Sequence, residues 1–349
     1  MRSFIDRGVP MNVTETLLKP VSLGNVRIAF PCALAALSGY SDQPVRRICR
    51  ELGAGYTIGE VLLDTFVIQV RRRRAGRYLG VADDEHPVAC QIMGNTAGNL
   101  AAAAMRAVES GFDVIDLNMG CPVRKVLGKQ RGGWLLREPD VAIGMIRRVR
   151  DALPPHVPLT VKLRRGTDLS NESEERFFSI LEGAIENGVV AVTVHARTVE
   201  QKYTGTSDWN FLRRVKDHIA GRIALFGSGD LFCADDVVRM IRDTGVDGVT
   251  IARGAIGYPW IFRECAAVLN HNGDPGFMTP APTLDEQKEI VERLFLYSTE
   301  IYGVQKASLM MGRFLLKMAV RAHPRGSDVR DAFIKAGPEQ WRNVLKEWY

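Results

Sequence analysis

Eight strand-length runs of apolar and β-branched residues recur along the chain, at 26–35, 54–62, 87–94, 114–120, 158–164, 191–197, 222–229 and 248–253. They are continuously apolar, without inside/outside alternation, as a parallel sheet covered on both faces requires. Amphipathic stretches lie between them and open on helix-start signals: Ser41-Asp42, Asn95 to Gly98, Pro139-Asp140 and Ser207-Asp208. Eight such β/α units predict a closed (β/α)8 TIM barrel over residues 26–270, close to the roughly 250 residues typical of that architecture. A doubly wound open sheet is the alternative. It would usually have fewer strands and a G-x-G-x-x-G turn, which is absent after the first run.

Beyond Pro282 the period becomes helical, and residues 284–349 read as a small all-helical domain. Residues 271–283, rich in Gly and Pro, are its linker, and 1–25 an amino-terminal extension. Charge separates the two parts. Of a net +6, residues 306–349 contribute nine Lys/Arg against four Asp/Glu, and Arg71 to Arg74 with Arg77 form a second basic focus. Two basic zones on a balanced chain suit a polyanion such as nucleic acid, although a solvated helix face would look the same. The six cysteines are scattered without a Cys-x-x-Cys pair, so no metal site or disulfide framework is expected. No window holds about 18 consecutive apolar residues, so no membrane span is expected. A cytoplasmic monomer is the expected state.

In such a barrel the chemistry sits at the carboxyl ends of the strands. The polar residues there are Gln91, Asn118, Cys121, Lys162, Arg164, His195, Arg197, Ser228 to Asp230 and Arg253. Runs seven and eight end in FGSGD (226–230) and ARGAIG (252–257), whose glycines expose N–H groups able to cradle a phosphate beside Arg253. One phosphate site without a second glycine fingerprint favours a mononucleotide, FMN, over FAD or NAD, and Lys162 would place its charge near an anionic flavin ring. Cys121, in NMGCP (118–122), lies at the rim between Gly120 and Pro122. A thiol with its ordinary pKa of about 8.5 is protonated at neutral pH and can serve as an acid.

With DLNMGCPVRKV (116–126), VKLRRG (161–166), HARTVEQKYTG (195–205), SDW (207–209) and GYPWIF (257–262), the chain resembles the tRNA-dihydrouridine synthases, FMN enzymes that reduce uridines in tRNA. The resemblance implies Cys121 as proton donor and Gln91, Lys162 and His195 along the flavin. It implies Ser228, Gly229, Asp230, Ala252 and Arg253 around the phosphate, and NADPH (or NADH) as reductant. Ala36, Leu37 and Ser38 stand where the family's first-strand motif lines the flavin through its backbone. Asn118, Arg164 and Arg197 are then expected to face the substrate, and tRNA is the expected partner.

The chain departs from the family pattern at Ala36-Leu37-Ser38-Gly39-Tyr40-Ser41-Asp42, which keeps only Gly39 and Asp42 of the usual motif. It departs again at Ser228, where Asn is usual, and at Ala252, where Gly is usual. Two other readings remain open: an FMN barrel reductase of a small pyrimidine, like dihydroorotate dehydrogenase, and a tRNA-binding paralogue whose catalysis has lapsed. The basic helical segment opposes the first, and retention of Cys121, Lys162 and His195 opposes the second.

Overall fold

The computed structural model describes residues 16–337 and 340–349; residues 1–15 of the expected amino-terminal extension lie outside them. Among the described residues eight parallel strands close into a barrel: β3 (Cys32–Leu34), β4 (Tyr56–Ile58), β6 (Val88–Met93), β7 (Val114–Asn118), β8 (Leu159–Arg164), β9 (Ala191–His195), β10 (Ala224–Ser228) and β11 (Gly248–Ile251). Closure is explicit, because β11 pairs with β3 and β4 pairs with β6. Each barrel strand buries both faces, which is why the runs read as continuously apolar.

Two of those runs are broken in the structure. Residues 26–35 do not form one strand. Pro31 has no N–H to give a ladder, and a bend at 29–31 separates β2 (Val26–Ile28) from β3. β2 instead pairs antiparallel with β1 (Val21–Leu23) through a two-residue turn at Gly24-Asn25, where Gly24 takes φ of +57°. Val21, Leu23 and Ile28 of this hairpin pack on Ala33, Tyr56, Ala89, Val114 and Phe226, plugging the amino-terminal end of the barrel. Run 54–62 divides into β4 and β5 (Leu62–Leu63), both of which pair with β6.

The outer helices are α1 (Gln43–Glu51), α4 (Ala97–Glu109), α6 (Pro139–Ala152), α7 (Asn171–Glu186), α8 (Trp209–Ile219), α9 (Ala234–Thr244) and α10 (Ile261–Asn270). Short helices α2 (Asp64–Gln69), α3 (Arg72–Leu79) and α5 (Arg124–Leu127) occupy the loops after β5 and β7. Local chemistry sets the helix starts. Asp208 accepts from the Asn210 and Phe211 N–H groups at α8, and Thr283 forms a capping box with Glu286 at α11 (Leu284–Tyr302). α12 (Val304–Ala322), α13 (Gly326–Ala336) and α14 (Trp341–Trp348) complete a helical bundle whose apolar side is continuous with the core around the barrel. α11 is joined to α1 by polar contacts: Arg47 bonds Glu300 and lies over the Tyr297 ring, and Tyr302 donates to Asp42.

α1 is also anchored from below by a buried ion pair. The Glu85 carboxylate receives Arg46 Nε at 2.8 Å, Gln43 Nε2 at 3.0 Å and the Ala82 N–H at 2.7 Å, while Arg46 and Glu85 are 3% and 0% exposed. Removing one partner of such a pair strands the other charge. Glu85→Ala should therefore lower unfolding stability by about 3–5 kcal/mol in urea titrations; a change under about 1 kcal/mol would show that Arg46 finds another partner.

Candidate active site

Three barrel strands aim a polar network into the mouth. Register places Gln91 beside Asp116, Asp116 beside Thr160, and Asn118 beside Lys162. Asp116 accepts from Gln91 Nε2 at 2.6 Å and from Thr160 Oγ1 at 2.6 Å, and Gln91 Oε1 accepts from Asn118 Nδ2 at 2.7 Å. These bonds fix which end of the Gln91 amide faces Asn118. Burial holds the Asp116 carboxyl above its ordinary pKa, against the pull of Thr160, Gln91 and Lys162.

Positive charge gathers one layer higher. Lys162, Arg164, Arg197 and Arg253 all act on His195, whose pKa falls to about 2 through burial first and these cations second. The imidazole is therefore neutral. With Arg197 Nη1 donating to its Nε2 at 3.3 Å, the ring proton belongs on Nδ1. Lys162 is pushed down to about 8 by burial and by Arg164, and its ammonium has no hydrogen-bond or ion-pair partner among the described residues. Asp230 opposes this charge: it takes both oxygens to Arg197 Nη2, at 2.9 and 2.7 Å, one to Arg253 Nη2 at 3.1 Å, and accepts the Ser207 N–H. Arg253 lies between two exposed rings, 5.2 Å from Tyr203 and 5.0 Å from Phe232.

The turn after β10 comes close enough to exclude any side chain at Gly229. Its φ is +110°, and a Cβ there would lie 2.6 Å from Ser207 Oγ and 2.7 Å from His195 Cδ2. Ser228 is buried, with its hydroxyl toward the Thr250 carbonyl at 3.4 Å, and Asp230 takes φ of +58°. A bare backbone turn, an unpaired ammonium and a surplus of guanidinium suit a bound anion such as a phosphate. The loop after β3 reaches the same mouth. Ser41 braces it, accepting from the Leu37 N–H at 2.8 Å and donating to the Leu37 carbonyl, and the Gly39 N–H donates to Glu60.

Cys121 is half-buried at the end of β7, its carbonyl accepting from the Gly133 N–H at 3.0 Å. The segment between them is tied down at Asn95, which donates to the Lys129 carbonyl, and at Arg131, 3.7 Å from Asp64. Burial raises the thiol pKa, outweighing the Val123 N–H, Arg164 and Lys162, which lower it. The thiol thus carries its proton at neutral pH.

Cys121, Gln91, Asn118, Lys162 and His195 therefore meet at one rim, flanked by Ala36 to Ser38, by Ser228 to Asp230 and by Ala252-Arg253. Arg164 and Arg197 are held differently from outward-facing ligands. They are 3% and 2% exposed, and their donors are committed: Arg164 to the carbonyls of Gly120, Thr198 and Lys202, Arg197 to Thr204, Gly205 and Asp230. Two participants went unnoticed in the sequence. Asp116 had a visible signal, a carboxylate inside an apolar run, whereas Tyr203 is an ordinary loop tyrosine until Arg253 is seen beside it. Among the described residues no group of His, Cys, Asp and Glu could hold a metal ion, and no helix is long and apolar enough to cross a membrane.

The family model described as dihydrouridine synthase matches residues 33–336. The chain belongs to the dihydrouridine synthase family. Among curated proteins it is 33% identical to tRNA-dihydrouridine synthase B of Pseudomonas putida, covering 90% of each chain. It is 30% identical to a probable tRNA-dihydrouridine synthase of Rickettsia conorii, over 88% of this chain and 91% of the relative. Solved structures similar in fold include histamine dehydrogenase from Rhizobium sp. 4-9, with TM-score 0.58 and 14% identity over 75% of this chain and 48% of that one. Morphinone reductase in complex with tetrahydroNAD matches with TM-score 0.53 and 13% identity, over 78% of this chain and 97% of that one. This member of the family is thus an oxidoreductase on a TIM barrel.

The raised thiol pKa makes a prediction independent of any ligand. Alkylation of Cys121 by iodoacetamide, followed peptide by peptide, should be slow at pH 7 and still be accelerating above pH 9, because only the thiolate reacts. A rate that levels off below pH 8 would reveal an activated thiolate instead.

Proposed function

We propose that this protein reduces the C5–C6 double bond of a uridine in tRNA, with FMN held in the barrel mouth and NADPH (or NADH) as the source of electrons. The observation that carries the reading is a protonated thiol, Cys121, on the same rim as an electropositive, anion-ready bowl, in a chain of the dihydrouridine synthase family. Gly229, with Ser228, Asp230, Ala252 and Arg253, would hold the FMN phosphate. Gln91, Lys162 and His195 would line the ring system, with the backbone of Ala36, Leu37 and Ser38 opposite. When bound and reduced, FMN supplies the hydride that adds at C6 of uracil.

The chain's own task is the proton. As C5 gains electron density, the Cys121 S–H bond breaks and a C5–H bond forms, leaving a thiolate that solvent later reprotonates. Lys162 and Arg164 both favour the thiolate, so they stabilise Cys121 most strongly after it has given up its proton. Neutral His195 cannot compete as an acid, but its Nδ1–H can donate to a carbonyl or ring nitrogen. Asn118, three residues before Cys121 and bonded to Gln91, is assigned to the uracil edge. Arg164 and Arg197 position the segment 198–205 rather than touch substrate.

The barrel, residues 26–270, and the helices beyond the 271–283 linker are assigned separate roles, catalysis and RNA docking. The basic loop leans on those helices, with Arg77 over the Tyr302 ring at 4.7 Å and Nη2 directed at Met310 Sδ at 3.4 Å. The two basic zones thereby meet at Arg77, which suits contact with one folded polyanion.

Position-resolved mass spectrometry of tRNA from a deletion strain tests the reading. Dihydrouridine should disappear from at least one position and return with the wild-type gene. Cys121→Ala should keep its FMN and its NADPH oxidation yet form dihydrouridine about 10²- to 10⁴-fold more slowly, the usual cost of removing a general acid. An unchanged dihydrouridine map in the deletion strain would overturn the assignment.

A further inference from the structure

The loop after β11 is gripped from outside the barrel. Arg321, in the last turn of α12, brings Nη1 within hydrogen-bonding distance of three of its carbonyl oxygens: Arg253 at 3.1 Å, Gly254 at 2.7 Å and Ile256 at 2.9 Å. The same guanidinium lies 5.3 Å from the centre of the Tyr258 ring. The two backbones also touch. Gly257 has φ of +68°, and a Cβ there would lie 2.5 Å from both Lys317 C and Met318 N of α12.

A trans peptide points its N–H opposite to its C=O. Drawing the carbonyls of Arg253, Gly254 and Ile256 toward one cation therefore turns the N–H groups of Gly254, Ala255 and Gly257 away from it. Ala255 N–H is used within the turn, by the Ala252 carbonyl at 3.0 Å. Without Arg321, three carbonyls would lose a charged donor and the turn its fixed orientation.

We infer that Arg321 is a positioning residue for the phosphate seat: the helical bundle, through this one side chain, orients the turn that carries Arg253. The inference rests on the proposal that this turn holds the cofactor phosphate, and it makes the bundle a structural part of the cofactor site as well as an RNA-docking element. Lysine offers three donors on a shorter stem, so Arg321→Lys should preserve much of the grip. Arg321→Met keeps the apolar stem and removes every donor.

The test compares FMN with riboflavin, which lacks the phosphate, in fluorescence-quenching titrations of flavin-free wild-type, R321K and R321M proteins. Wild type should prefer FMN strongly. R321M should lose at least tenfold in FMN affinity with less than twofold change for riboflavin, and R321K should stay within about threefold of wild type for both. A purely structural loss would weaken both flavins together, so that result would overturn the inference, as would R321M binding FMN like wild type. Should R321M not fold, R321Q is read by the same criteria. A wild-type protein that does not distinguish FMN from riboflavin would overturn the phosphate seat itself, and the inference with it.

Discussion

Four cationic side chains converge on His195, and one carboxylate, Asp230, ties two of them together. Much of the mouth follows from this imbalance. Asp230 keeps Arg197 and Arg253 at fixed places, and both of those arginines hold or touch the loop that carries Tyr203. Lys162 has no hydrogen-bond or ion-pair partner among the described residues, which adds to the positive charge at the mouth. Such an arrangement is costly in an empty bowl and becomes favourable when an anion enters, since opposite charges at short range interact strongly where water is scarce.

Burial sets both protonation states, in each case toward the neutral form. His195, a base among cations, loses its proton. Cys121, an acid, keeps its own because burial outweighs the neighbouring Lys162 and Arg164. The site therefore has a proton to give and a neutral imidazole that does not take it, which is the division of labour a saturating reduction of a pyrimidine ring needs. Asp116 is bonded to Gln91 and Thr160 and orders the wall through those hydrogen bonds.

The barrel was legible in the sequence because burial on both faces leaves a signature in composition alone, and strand-end polar residues such as Gln91, Lys162 and His195 then fall at the mouth by topology. Cys121 could be read from its motif and its place at the rim. What could not be read were relations between distant segments. Pro31 and the Gly24-Asn25 pair are visible in the sequence, but not that the bend they allow sends Val26–Ile28 back into a hairpin that stops the barrel floor. Arg164 and Arg197 look like outward cations in one dimension, and only the fold shows that carbonyls of neighbouring loops and, for Arg197, Asp230 and His195 take their donors. Arg321 is invisible for the same reason, its partners lying 65 to 68 residues away.

The central claim is that Cys121 is a fixed, protonated donor on one face of the substrate. It is tested most directly by running the reaction in D2O and locating deuterium at C5 of the dihydrouridine by NMR. A thiol anchored at the end of β7 reaches C5 from one side, so deuterium should occupy a single one of the two C5 positions. Equal deuterium at both C5 positions would mean that solvent protonates C5 without direction, and would contradict the account.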